Sequence, residues 1–240
     1  MCVMYEVRCT MCYRGSNQNN STFQQFINST NSAIQQSNKF LTNHIPHLSK
    51  DKKLKKLIDA QKPYVLSVRK KVYLNVCTSI LSQQLSTKVA KVLHKRFLDL
   101  YGGKDPSARQ ILETPATVFR SIGFSNAKAS YVHNVCRFFI DNKITDTSLY
   151  KMSNDEILTL LTQIKGVGKW TVEMILMFTL GREDIFAMDD LGLKQSVIKL
   201  YNIKETDKKI LREKIEKISL KWSPYRTYAC KYLWGWKDNK

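Results

Sequence analysis

The chain has 240 residues, 43% of them hydrophobic, enough for one large core or two small ones. Lys and Arg number 39 against 20 Asp and Glu, a net charge of +19 that points to a polyanionic partner, nucleic acid before an anionic membrane surface. A lysine-rich solvated surface would give the same sum. No apolar run approaches the roughly 18 residues of a membrane span, and the opening MCVMYEVRCT lacks the apolar stretch of a secretory signal. An intracellular protein is therefore expected, nuclear in a eukaryote, with no membrane partner.

Residues 16–38 carry no charge, and 18 of the 23 are Ser, Thr, Asn or Gln. Such a tract buries too little apolar surface to offset its ordering entropy. Residues 1–38 are accordingly predicted as a disordered tail and 39–240 as the folded domain, starting near Phe40. In the tail, Cys2, Cys9 and Cys12 have C-x6-C-x2-C spacing, but a cluster needs four thiolates as a rule and no fourth follows closely. Cys77, Cys136 and Cys230 fall in apolar helical contexts and are expected as buried thiols. His44, His47, His94 and His133 have no zinc spacing and are given no role.

Beyond the tail the pattern is helical. Tyr73, Val76 and Ile80 share one face of a helix ending near Ser82. Ser86 is a cap for the next, which carries Val89, Val92, Leu93, Phe97 and Leu100 and stops at Gly102-Gly103. Shorter helices fit 106–112 and 115–122, and a longer one 126–141. Ser153 and Glu156 form a capping box ahead of Ile157, Leu160, Leu161 and Ile164. Residues 169–180 are apolar almost all round and read as a buried central helix. Helices at 190–201 and 206–219 follow. The last is predicted to begin at Ser223, with Pro224 in the favoured first position. No sustained period-2 run appears, so the fold is predicted to be all-α.

The segment LTQIKGVGKWT (161–171) sets a tight turn, Gly166-Val167-Gly168, between two helices. Two glycines permit positive φ and close backbone approach. The unsatisfied N–H groups at the start of the second helix, with its dipole, suit a phosphate. Lys165 and Lys169 add attraction, and Lys194 and Arg226 are further candidate phosphate contacts. An ordinary tight turn is the alternative. Further on, FAMDDLG (186–192) places Asp189 and Asp190 before a helix, where spacing alone allows both to be caps.

With these motifs in view, residues 161–192 resemble the helix-hairpin-helix, loop and aspartate signature of the helix-hairpin-helix DNA glycosylase superfamily. The 3-methyladenine DNA glycosylase II and yeast-type members are the most similar. SILSQQLSTKVAKV (79–92), DIFAMDDLGLKQSV (184–197) and KWSPYRTYACKYLWGW (221–236) are similar to that family's early helix pair, catalytic loop and terminal helix. The resemblance covers roughly 65–236. It implies a multi-helix bundle in two lobes flanking a DNA-binding cleft, and a monomer acting on damaged double-stranded DNA.

It also implies roles. Asp190 is the catalytic carboxylate, stabilising positive charge on a sugar, and Asp189 a cap or support. Trp170 and Trp234 match pocket tryptophans, and Met174 stands where the bacterial enzyme has tyrosine. Tyr225, Tyr228 and Tyr232 supply further rings. Gln84 or Leu85 fills the gap left by a flipped base. Lys165, Gly166, Val167, Gly168 and Lys169 grip DNA. The Thr162, Ile164 and Val167 carbonyls hold a structural Na+ or K+, and no cofactor is needed for catalysis. Bifunctional members place a Schiff-base lysine where this chain has Trp170, so release of a free base without strand cleavage is expected. Met188 departs from the proline frequent at that position, which bears on the stiffness of the loop. A same-fold glycosylase for mismatched or oxidised bases, a non-catalytic DNA-binding module and a basic RNA-binding protein are the competing readings.

Overall fold

A computed structural model describes residues 43–238. The predicted tail, with Cys2, Cys9 and Cys12, lies outside them. Among the described residues every helix or strand is an α-helix, as the periodicity predicts, and none is long and apolar enough to cross a membrane.

The first two helices, α1 (His44–Leu48) and α2 (Lys52–Asp59), are not announced by the lysine-rich sequence. Yet Leu54, Leu57 and Ile58 make one buried face of α2, the 3.6-residue pattern in its shortest form. The Asp51 carboxylate caps α2, accepting from Lys53 N at 3.0 Å and Leu54 N at 3.2 Å. It also accepts from the Tyr201 hydroxyl and, at 3.2 Å, from Trp222 Nε1, which fastens α2 to the far end of the chain. Burial alone would raise this carboxyl's pKa, but its hydrogen bonds outweigh burial and hold it below the usual range.

Helix α3 (Val72–Ser82) has no side-chain cap of its own, since Lys71 at its start is left-handed with φ 57°. Its cap comes from far along the chain: Asp146 accepts from Lys71 N at 2.7 Å and Val72 N at 2.9 Å. Ser86 caps α4 (Thr87–Asp99), which is followed by Gly102 and Gly103 at positive φ. Helices α5 (Ala108–Glu113), α6 (Ala116–Ser121) and α7 (Asn126–Asp141) lie within two residues of their predicted bounds. A short helix absent from the prediction, α8 (Asp146–Lys151), opens with a Thr145–Ser148 capping box and supplies that Asp146. The Ser153–Glu156 box opens α9 (Asn154–Leu161) as expected. In α10 (Lys169–Phe178), Thr171, Val172, Glu173, Ile175, Leu176 and Met177 are all buried. Helices α11 (Leu191–Tyr201), α12 (Lys208–Leu220) and α13 (Arg226–Asp238) complete the chain.

The start of α13 corrects the sequence reading. It lies at Arg226, not Ser223, because the preceding turn is held to another loop. The Ser223 hydroxyl donates to Asp184 at 2.8 Å, and Arg226 grips the same carboxylate at 2.6 and 3.0 Å.

Two lobes result. Helices α3, α4 and α7 pack together with α5, α6, α9 and α10, while α1 and α2 fold back onto α11 and α13, with α12 against α11. Both ends of the described chain therefore share one lobe. The segment between α2 and α3 crosses over, with Arg69 N donating to Thr179 O at 2.8 Å and Tyr150 donating to Arg69 O at 2.6 Å. Cys77, Cys136 and Cys230 are fully buried and unpaired by disulfide, as predicted.

The expected rings Tyr225, Tyr228 and Tyr232 serve the second lobe's core. His44, 1% exposed, stacks on Tyr228 with 3.8 Å between ring centroids, and its Nε2 lies 3.3 Å from the Tyr232 hydroxyl. Burial first, and then the Lys231 charge, push the imidazole down to about 4 from 6.5. It stays neutral in the fold while the unfolded chain binds a proton below about 6.5. The contribution of His44 to stability is therefore full above pH 6.5, falls as pH drops from 6.5 to 4 and levels below that, a loss of up to about 3 kcal/mol. Urea unfolding at pH 7 and pH 4.5 should show a clearly smaller loss for His44→Phe than for the parent chain. Equal losses would remove His44 from the account.

Candidate active site

The turn between α9 and α10 is built as the sequence suggests, with one correction. Gly166 has φ +104°, and a Cβ there would lie 2.2 Å from the Tyr131 ring, so only glycine fits. Gly168 does not use positive φ. It sits in extended conformation (φ −92°, ψ 170°) as the N-cap of α10, where a Cβ would meet nothing. It offers no side chain to cap the helix, so the first N–H groups of α10 point outward unclaimed by a side-chain cap. Lys165 and Lys169 flank the turn in exposed positions, and Val167 is buried beneath it. The Ile164 carbonyl accepts from Val167 N at 2.9 Å, whereas those of Thr162 and Val167 take no backbone donor among the described residues. Oxygens left in this way fit a monovalent cation.

Asp190 lies where the two lobes meet. It is the N-cap of α11, its Oδ1 accepting from Leu193 N at 2.7 Å. The same carboxylate also takes two indole N–H bonds: Trp234 Nε1 to Oδ1 at 3.1 Å and Trp170 Nε1 to Oδ2 at 3.0 Å. Asp190 is thus a helix cap whose carboxylate is also bound by two tryptophans. One helix end and two tryptophans from different helices fix the carboxylate plane. Asp189 is no cap. It is exposed and pairs with Arg212 at 2.8 Å, an interaction that, with burial opposing, lowers its pKa.

A cavity of about 440 Å³ opens between α3 and α10, within the range of small-ligand sites. Trp170, Met174 and Phe178 line one side and Leu85 another. Trp170 joins cavity to carboxylate, its side chain forming the wall while its N–H reaches Asp190. Trp234, 8% exposed, is not in the wall; it lies behind Phe178 with 5.6 Å between ring centroids. Gln84 is also outside the cavity, exposed at the α3–α4 turn with φ 59°. Lys128 steadies that turn, donating to Leu81 O at 2.8 Å and Gln83 O at 2.9 Å.

Arg226 is not the free phosphate contact that the sequence suggests, being committed to Asp184; Lys194 is half-exposed. Sequence reasoning also missed the polar cavity wall formed by Arg69, Asn75, Ser79, His94 and Asp105. Burial lowers the His94 pKa against the pull of Asp105. Those residues are spread along the chain with no shared motif, and only the run Arg69-Lys70-Lys71 gave any signal.

A family model described as HhH-GPD superfamily base excision DNA repair protein matches residues 77–221. DNA-3-methyladenine glycosylase 1 of Schizosaccharomyces pombe is 32% identical over 185 residues, 76% of this chain and 80% of that protein. The solved structure of the S. pombe 3-methyladenine DNA glycosylase with abasic DNA covers 80% of this chain and 95% of its own, with a TM-score of 0.71. A DNA-3-methyladenine glycosidase from Bacillus halodurans is 30% identical, covering 80% of this chain and 87% of its own, with a TM-score of 0.69.

Proposed function

The chain belongs to the HhH-GPD superfamily of base excision DNA repair proteins, and from that premise we propose that it is a DNA glycosylase releasing alkylated purines from double-stranded DNA. The substrates proposed are 3-methyladenine and 7-methylguanine, with hypoxanthine as a weaker one. Hypoxanthine is a purine that is not alkylated, and as it leaves it must take up the proton given up by the attacking water. The observation that carries this reading is the Asp190 carboxylate, tied to Trp170 and Trp234 beside an aromatic cavity.

In this reading the unclaimed N–H groups of α10 hold a backbone phosphate, with Lys165 and Lys169 adding charge. A Na+ or K+ at the Thr162, Ile164 and Val167 carbonyls would brace the turn against that phosphate. The damaged nucleotide leaves the helix stack, and Leu85 or Gln84 fills the gap. The base enters between Trp170, Met174 and Leu85, where a methylated, electron-poor ring gains from an indole face. Its C1′ then stands next to Asp190. As the bond from C1′ to the base nitrogen breaks, positive charge grows on the sugar and the carboxylate offsets it. Water adds its oxygen at C1′ and gives up a proton, while the base departs neutral because alkylation had already made it cationic. Trp170 offers no amine, so the product is an abasic site and a free base. A monomer suffices for these steps.

The test is a panel of duplexes with one defined lesion each. Release of 3-methyladenine supports the reading, whereas release of thymine or 8-oxoguanine would replace the substrate. Binding with no release would leave a DNA-binding module, and equal affinity for RNA would favour the RNA reading. Trp170→Phe keeps a ring in the wall but drops the bond to Asp190 Oδ2. Its single-turnover release should slow about tenfold, the kinetic equivalent of one lost charge-assisted bond, with duplex affinity unchanged. An undiminished rate would show that the indole bond does not position the carboxylate.

A further inference from the structure

Glu173 takes no part in the chemistry above. It lies one helical turn after Lys169 on α10, its side chain only 8% exposed, with Oε1 3.9 Å from Lys169 Nζ. Its buried Oε2 has no hydrogen-bond partner. An ionised carboxylate so placed is poorly compensated, so its charge depends on the one ammonium beside it. The groups around it come from four elements. They are Lys169 on its own helix, Asp189 and Asp190 in the loop before α11, Arg212 on α12, and the Cys230 thiol on α13. Burial is the largest influence, the two aspartates reinforce it and the two bases oppose it, leaving the Glu173 carboxyl raised to about 7.

We infer that Glu173 is a positioning residue for Lys169. Its carboxylate holds that ammonium against α10 in the free protein, and it takes up a proton from solvent when Lys169 turns to a DNA phosphate. The inference rests on the DNA-binding role proposed for the turn. Once Lys169 leaves and a phosphate approaches, a charged Glu173 loses its partner and gains a like charge, so protonation is favoured further. The complex then binds a proton that the free protein lacks. Duplex binding therefore weakens as pH rises through and above about 7, and is indifferent to this group well below that.

The full-length chain would be titrated with a duplex holding a stable abasic-site analogue, at fixed salt, at pH 6 and pH 8.5. The parent chain should weaken about fivefold over that range, within the limit of a decade per pH unit for one linked proton. Glu173→Gln, neutral at every pH, should lose most of that dependence and bind better than the parent at pH 8.5. Lys169→Met should bind more weakly at both pH values and also lose the dependence. Calorimetry of the parent chain at pH 7.5 in two buffers of different ionisation enthalpy should report proton uptake on binding, a readout that needs no variant. An unchanged pH slope in Glu173→Gln, or no proton uptake by the parent, overturns the inference while leaving the glycosylase reading intact. No duplex binding at either pH overturns both.

Discussion

Asp190→Asn should reduce single-turnover release of an alkylated purine by at least about a hundredfold, with duplex affinity little changed. Loss of a preorganised electrostatic stabiliser at a reacting centre has about that effect or more. Asparagine is a good N-cap, so the bond from Leu193 N survives and α11 still starts in place. What fails is the bond from Trp170 to the other oxygen, Oδ2. The native carboxylate takes N–H bonds from Leu193, Trp234 and Trp170. An amide has one oxygen, and its NH2 would face an indole N–H, donor against donor. The variant therefore loses the charge and also unsettles Trp170, at a modest stability cost of about 1–2 kcal/mol. Base release within threefold of the parent would end the assignment of Asp190 as the catalytic residue. Measuring duplex affinity in the same preparation separates lost chemistry from lost binding.

Gly166→Ala should lower both stability and duplex affinity. The added methyl would lie 2.2 Å from Tyr131 Cγ and 2.5 Å from Cδ2, at a residue with φ +104°. Strain of this backbone kind and overpacking each cost on the order of 1–3 kcal/mol. A combined cost of about 3 kcal/mol corresponds to a Tm lower by roughly 6–12 °C in a chain of this size. Because the strain is released by moving the turn, the N–H groups of α10 shift and affinity for duplex should fall more than tenfold. Gly168→Ala is the contrast. Its methyl meets no protein atom and its backbone is extended, so Tm should hold. The methyl would stand beside the proposed phosphate position, and binding alone should weaken. If both variants change Tm equally, or if Gly166→Ala binds like the parent, the turn is a plain connector. Thermal unfolding and duplex titration of both variants decide it.

Sequence alone specified the features that act within a turn or two of helix. Ser86, Ser153 with Glu156, and the apolar periodicity of 126–141 and 169–180 give their helices because caps and amphipathic faces depend on residues one to four positions apart. The Gly166-Val167-Gly168 turn was legible for the same reason, whereas spacing left Asp189 and Asp190 both as caps and only the family resemblance singled out Asp190. Tertiary structure alone decided what depends on groups distant in the chain. Asp146 caps α3 across more than seventy positions, and Asp51 bonds Tyr201 and Trp222 from the opposite end. Arg226 was drawn from a phosphate-binding candidate into a clamp on Asp184. Trp234 went behind the cavity wall rather than into it, and Glu173 was buried beside Lys169. No local pattern encodes these placements, because burial and long-range hydrogen bonds are fixed only when helices distant in the chain pack against one another.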